Sequence, residues 1–247
     1  MGKIHLLLKK EEINEQKLRE GSKIAVVLDI LLATTSITSA LKDGAAHVIP
    51  AESCEIAKVR FDEDDSGGML LAGESDAQPV AGFVYPSPKV LRRQVSGKTL
   101  ILATTNGTVA LAKADAAKKV YASSLLNNFA VAEAISEEDG DPTIVIICAG
   151  NSGEFSLEDF YGAGHLIDCL QKTGRKSYEL TDAALAALLF FQTKRDNAEE
   201  VLGNSYVGGL LARHGLSDEL TFAAGLDSIH IVPVYKNGLI SAAKVCK

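Results

Sequence analysis

The sequence predicts an α/β protein whose central strands are covered on both faces. Short apolar runs alternate with helical patterns along most of the 247 residues, the arrangement of strand and helix that builds layered α/β domains. Several of those runs, "IAVVLDILLA" and "TIVIICAG" among them, are apolar almost throughout, as strands buried on two sides are. The length is enough for one large core, and the chain is read as a single compact domain over 1–247.

The elements follow in order. "KIHLLL" and "KIAVVLDIL" read as the first two strands, then "AHVIP", "GMLLAG", "KTLILAT", "KVYAS" and "TIVIICAG". The segment Cys54–Arg60 has helical periodicity, and Asp62–Gly68 ("DEDDSGG") and Ser75–Pro79 read as exposed loops. Thr181–Leu211 is helical in pattern, with "DAALAALLFFQ" supplying an apolar helix. "SIHIVPVY" reads as a late strand, and Asn237-Gly238 between two strand-like runs signals a hairpin.

Composition bounds the function. With 47% hydrophobic and 23% charged residues the chain has the balance of a soluble globular protein. A net charge of −7 argues against nucleic acid or an anionic membrane surface as partner. No apolar run approaches the ~20 residues that span a bilayer, and the first apolar run is too short for a signal-peptide core. The expected location is the cytoplasm. Cys54, Cys148, Cys169 and Cys246 lack C-x-x-C spacing and neighbouring histidines, so they read as reduced thiols. Size and hydrophobicity suggest a homodimer.

An internal echo marks the candidate site. "AVVLDILLATTSITSAL" (Ala25–Leu41) and "TLILATTNGTVAL" (Thr99–Leu111) share a strand, a Thr-Thr pair, a small polar residue and a helix, in units near 24–50 and 98–122. A third unit, "TIVIICAGNSGEFSLEDFYGAGHLI", places Gly150-Asn151-Ser152-Gly153 at its strand end. In the second unit Asn106-Gly107 suits a turn with φ > 0, with Thr or Asn capping the next helix. Helix N-termini so placed aim free N–H groups at whatever lies beyond the strand ends, which favours an anion. Each turn alone is ordinary βα-turn composition; the three together point to one rim of the sheet, where α/β folds place ligands.

Several chemistries drop out. Cys54–Arg60 has the C-x5-R spacing of thiolate phosphatases but lacks the glycines needed to wrap a phosphate, and "DEDD" (Asp62–Asp65) follows no buried strand. No G-x-x-x-x-G-K-[ST], G-x-G-x-x-G or G-x-S-x-G occurs, which removes support for nucleotide hydrolysis, dinucleotide redox and serine-hydrolase chemistry. The better-placed acids are Asp29, inside or ending an apolar strand; Glu74, just past another; and Glu158 and Asp159 in the first turn of a helix that Ser156 would cap. Dipole placement alone would explain the last two. Taken with the three turns, the four form a Mg²⁺–phosphate arrangement, since magnesium takes a few carboxylates and bridges to phosphate oxygens. Glu74, Glu158 and Asp159 are the expected metal ligands, and Asp29 and Asp159 the expected catalytic residues. Thr34, Thr35, Thr104, Thr105, Asn106, Gly107 and Thr108 are the expected substrate-binding residues. His165 lies on a similar helical face to Glu158 and reads as packed; His5, His47, His214 and His230 read as structural.

At these residues the sequence resembles the 2-phosphosulfolactate phosphatase family, magnesium-dependent enzymes first associated with coenzyme M biosynthesis. The matching segments are "VVLDILLATTSITSAL", "LLAGE", "LATTNGTVAL", "SSLLNNFAVAEAI", "CAGNSGEFSLEDFYGAGHLI" and "LTDAALAA", in family order across most of the chain. The resemblance implies a three-layer α/β/α architecture with a mixed sheet, and hydrolysis of 2-phospho-3-sulfolactate, a small anionic phosphoester, to 3-sulfolactate and phosphate. Leu32 stands where the family's first motif usually carries arginine, and "GFVYPSP" (Gly82–Pro88) replaces a family segment containing aspartate and asparagine. Two alternatives follow: a phosphatase for another three-carbon phosphoester, or a non-catalytic anion-binding protein on the same scaffold.

Overall fold

The computed structural model describes residues 1–63, 67–75 and 78–243. Asp64 and Asp65 of the acidic run, two residues of the Ser75–Pro79 loop, and Cys246 lie outside the described residues.

Among the described residues the strands are β1 (Gly2–Leu7), β2 (Lys23–Leu28), β3 (His47–Ala51), β4 (Met69–Ser75), β5 (Gln78–Pro79), β6 (Thr99–Ala103), β7 (Lys119–Ser123), β8 (Thr143–Cys148), β9 (Tyr178–Leu180), β10 (Pro233–Lys236) and β11 (Leu239–Ala242). They form one sheet in the order β5-β4-β6-β3-β11-β10-β7-β2-β8-β1-β9. β7, β2, β8, β1 and β9 pair in parallel, as do β4, β6 and β3. The antiparallel hairpin β10–β11 joins the two blocks, so the sheet is mixed. At its tip Asn237 (φ 50°) and Gly238 (φ 80°) make the left-handed turn that the Asn-Gly pair predicts.

The helices are α1 (Glu15–Arg19), α2 (Ala33–Lys42), α3 (Cys54–Asp62), α4 (Pro88–Leu91), α5 (Gly107–Ala114), α6 (Asn128–Ser136), α7 (Leu157–Lys172), α8 (Asp182–Thr193), α9 (Ala198–Gly203), α10 (Tyr206–Arg213) and α11 (Ser217–Ala223). They cover both faces, because the central strands are apolar on both. In β2, Ile24, Val26 and Leu28 enter the core shared with α6, α7 and α8, while Ala25 and Val27 enter the core shared with α2 and α5. α3 lies on the other face of the β3–β6–β4 block, over Ile101 and Leu71. The α/β/α fold expected from the sequence is the fold observed.

Three sequence readings need correction. Of "SIHIVPVY" only Pro233–Tyr235 joins the sheet, in β10; upstream, the Ile229 N–H donates to Leu126 O and so ties to the loop after β7 instead. Part of the Ser75–Pro79 loop is strand, since Gln78 and Pro79 pair with Ser75 and Glu74. The third concerns Asn106-Gly107. Asn106 has φ −121°, neither residue is left-handed, and the Asn106 side chain makes no cap hydrogen bond.

The echo is also offset by a few residues. Thr34 and Thr35 lie inside the first turn of α2, whereas Thr104 and Thr105 precede α5. Thr108, one residue into α5, therefore occupies the role of the earlier pair: its hydroxyl donates back to Thr104 O at 2.6 Å, as those of Thr34 and Thr35 donate to Asp29 O and Ile30 O at 2.9 and 2.8 Å.

Candidate functional site

Strand register brings the acids together. β6 pairs Ala103 with Gly73 of β4, so Thr104 and Glu74 emerge side by side at the strand ends. β2 pairs Leu28 with Cys148 of β8, so Asp29 emerges beside Ala149 and Gly150. Gly107 closes the gap between the two groups. A Cβ on Gly107 would lie 2.6 Å from Asp29 Oδ2 and 2.8 Å from the Ala33 Cβ, so only glycine lets the start of α5 meet the end of β2.

The three turns line one cavity of about 570 Å³. Asp29 and Ala33 come from the first, Thr104, Thr105 and Asn106 from the second, and Asn151, Ser152 and Glu154 from the third. Glu74 joins them, with Tyr85 and Pro86 from the segment after β5 and Leu31, Leu32, Val207, Leu210 and Leu211 from the start of α2 and from α10. Among the described lining residues none is Lys, Arg or His.

Behind this lining, α7 delivers two buried carboxylates. Ser156 caps α7, its hydroxyl accepting from the Asp159 N–H at 3.2 Å. Asp159 Oδ1 accepts from Ile30 N–H at 2.9 Å and Oδ2 from Gly150 N–H at 3.1 Å. Glu158 is almost wholly buried beside it. Gly164 holds α7 in place: a Cβ there would lie 2.1 Å from Ala187 O, so α7 and α8 pack backbone to backbone.

Burial and mutual repulsion dominate the electrostatics. Burial pushes Asp29 up to about 7, against the N–H groups of Ala33 and Gly107, and the charges of Glu158 and Glu74 push the same way. Burial, then Asp29 and Glu158, holds Asp159 well above the carboxylate range. Glu158 is raised by burial as well, with Ser205 and Ser156 opposing. All three carboxyls are thus held above their ordinary values, a rise that a bound cation would oppose.

Of the residues singled out in the sequence, the cavity therefore receives Asp29, Glu74, Thr104, Thr105 and Asn106. Glu158 and Asp159 lie behind it, and the hydroxyls of Thr34, Thr35 and Thr108 are engaged with backbone carbonyls. Gly107 packs against Asp29. His165 is packed elsewhere, with Nε2 3.1 Å from Asp227 Oδ2 and its ring stacked on Phe191. Asp227 Oδ1 also accepts the Phe129 N–H at 2.9 Å, which ties this histidine pair to the start of α6.

Sequence reasoning passed over Lys10 and the α10 residues. Lys10 is buried, and its Nζ donates to Asn106 Oδ1 at 2.7 Å; the same oxygen accepts from Ser152 N–H at 3.3 Å. With Oδ1 taken by two donors, the Asn106 amide is oriented with its NH₂ as the remaining donor. The doublet Lys9-Lys10 after the first strand was the available signal, since Lys9 Nζ also reaches the third turn, at Gly153 O, 2.8 Å away.

One polar atom in the lining is left unsatisfied. Thr104 Oγ1 is buried without a hydrogen-bond partner, a condition that costs roughly 1–3 kcal/mol unless a ligand supplies the partner. Thr104→Val keeps the shape and deletes the orphan. The variant should melt at the same temperature or higher, while kcat/KM falls roughly ten- to a hundredfold if that hydroxyl meets a charged oxygen. Thermal melts and initial rates check the pair of outcomes.

The raised carboxylates fix a sign for pH dependence. Their folded pKa values exceed the unfolded ones, so the native state holds more protons between them. Stability of the metal-free protein should then fall as pH rises through that window, by up to about 1.4 kcal/mol per pH unit for each such group. Metal-free protein should melt higher near pH ~5.5 than near pH ~8, and Asp29→Asn should flatten the difference. Melts across that range check it.

Comparison with known proteins agrees with the geometry. The family model described as 2-phosphosulpholactate phosphatase matches residues 7–238. A protein of Clostridium acetobutylicum named "Probable 2-phosphosulfolactate phosphatase" is 35% identical over 240 residues, covering 96% of this chain and 99% of its own. Proteins with the same name from Caldanaerobacter subterraneus subsp. tengcongensis and Thermotoga maritima are each 37% identical, over 238 and 220 residues, covering 94% and 88% of this chain and 95% and 91% of theirs. A strand-end cavity of this kind and matches of this extent lead to one conclusion: the chain belongs to the 2-phosphosulfolactate phosphatase family, a family of phosphoric monoester hydrolases.

Proposed function

We propose that the protein is a Mg²⁺-dependent phosphatase that hydrolyses 2-phospho-3-sulfolactate, the substrate named for its relatives, to 3-sulfolactate and phosphate. One observation carries the metal requirement. The cavity is lined by Asp29, Glu74 and Glu154, with no cationic side chain among the described lining residues. A phosphate dianion entering such a site meets like charge on each ionised carboxylate unless a cation comes with it.

The donor set suits magnesium. Glu74 and Glu154 offer hard carboxylate oxygens at the cavity wall, and magnesium takes one or two carboxylates, retains waters and shares the phosphate oxygens. Bound there, the ion would neutralise phosphate charge and favour its displacement. Glu158 and Asp159 would act from behind the lining, Asp159 by fixing the turns at Ile30 and Gly150.

The chain's own residues supply the rest. The Thr104 hydroxyl and the Asn106 NH₂ donate to phosphate oxygens. Asp29, poised to change protonation near neutrality, takes the proton of the attacking water. The water oxygen bonds to phosphorus as the ester oxygen leaves, and positioned charge carries the catalysis.

Phosphate release from 2-phospho-3-sulfolactate, with and without Mg²⁺, tests this reading. Turnover should require the ion and stop in excess chelator. Asp29→Asn should lower kcat by at least ~10²-fold. Asp159→Asn should lower kcat comparably and also the melting temperature, because an amide cannot accept both N–H groups as the carboxylate does. Full activity in chelator would remove the metal from the mechanism, and no phosphate release from any ester would leave an anion-binding protein.

A further inference from the structure

No Lys, Arg or His is among the described residues that line the cavity, yet one lysine lies directly behind the lining. Lys10 opens the short helical turn Lys10–Glu12 after β1, and its N–H donates to Ala149 O at 3.3 Å, beside the end of β8. Its side chain is only 10% exposed and runs inward to Asn106, with Nζ 2.7 Å from Oδ1. The ion partner of Nζ is Glu11, whose Oε1 lies 3.1 Å away on a half-exposed side chain.

Taking a lysine head group out of water costs free energy, and an amide oxygen does not require it. Asn106 Oδ1 already accepts the Ser152 N–H, so the lysine is not needed to satisfy that oxygen. It adds direction and polarity instead. Were the Asn106 amide turned over, its NH₂ would face two donors, Lys10 Nζ and the Ser152 N–H. An amide whose oxygen accepts from a cation is also the stronger donor through its nitrogen.

We propose that Lys10 is a positioning residue for phosphate, acting through the Asn106 amide and not by lining the cavity itself. This rests on the phosphatase reading above and adds to it a residue outside the lining. The equatorial phosphoryl oxygens already carry charge in the ester, and a loose transition state leaves it there. A donor to one of them therefore binds ester and transition state alike, and its loss appears in KM and not in kcat.

Calorimetric titration of inorganic phosphate into the full chain with Mg²⁺ present reads the effect without turnover. Lys10→Met should raise the phosphate Kd about tenfold, as expected when a donor to a charged oxygen is misplaced. In an Asn106→Ala background the same substitution should change Kd by less than about twofold, because no amide remains for the lysine to hold. With 2-phospho-3-sulfolactate, Lys10→Met should raise KM about tenfold and leave kcat within about threefold. Lys10→Gln, uncharged and shorter, is the second variant should the first fold poorly. Unchanged phosphate affinity in the Lys10 variant, an equal loss in the Asn106→Ala background, or a fall in kcat at constant KM overturns the role. Normal ester hydrolysis with equal losses in both backgrounds would overturn the Lys10 role alone. A loss that depends on Asn106, with every ester inert, would support that role and overturn the phosphatase reading.

Discussion

The Asp159 carboxylate accepts N–H groups from two different turns, Ile30 after β2 and Gly150 after β8. The site is built around that junction. Both strands are central to the sheet, and each reaches the junction with its side chains divided between the two cores. Two backbone donors satisfy two oxygens, as a buried carboxylate requires. The same bonds fix where Asp29 sits and which way the Gly150–Gly153 turn faces. Ser156, by capping α7, sets the depth at which Asp159 enters.

The turn before α5 is fastened to the turn after β2 by absence of a side chain. Gly107 lets α5 begin against Asp29, and the N–H it directs there opposes the rise in pKa that burial imposes. Lys10 then reaches across from the segment after β1 to hold Asn106, which also receives the Ser152 N–H. Carboxylates gathered in this way repel one another. That repulsion is what the proposed entry of phosphate together with a cation would relieve.

Much of this was legible in the sequence, for identifiable reasons. Strands such as β2 and β8 announce themselves because burial on both faces demands unbroken apolar runs. Ser156 before Leu157-Glu158-Asp159 reads as a cap because capping depends on adjacent residues only. Gly107 was singled out, though for the wrong backbone reason: its requirement is contact with Asp29 in a distant strand, not positive φ. Lys10 and the α10 wall were not legible. Their partners lie 96 residues away in the first case, and in the second depend on how the fold brings α10 to the cavity. The paired threonines show the limit of pattern. Thr34-Thr35 and Thr104-Thr105 match in sequence, yet a shift of the helix start turns the first pair inward and leaves the second at the cavity.

The central claim is that this cavity admits phosphate only together with a divalent cation. Calorimetric titration of inorganic phosphate into the protein, with Mg²⁺ and then with chelator, tests it without reference to turnover. The account predicts phosphate binding that appears only with Mg²⁺ present and reciprocal tightening of Mg²⁺ by phosphate, as linkage requires. Equal phosphate affinity in chelator would contradict it.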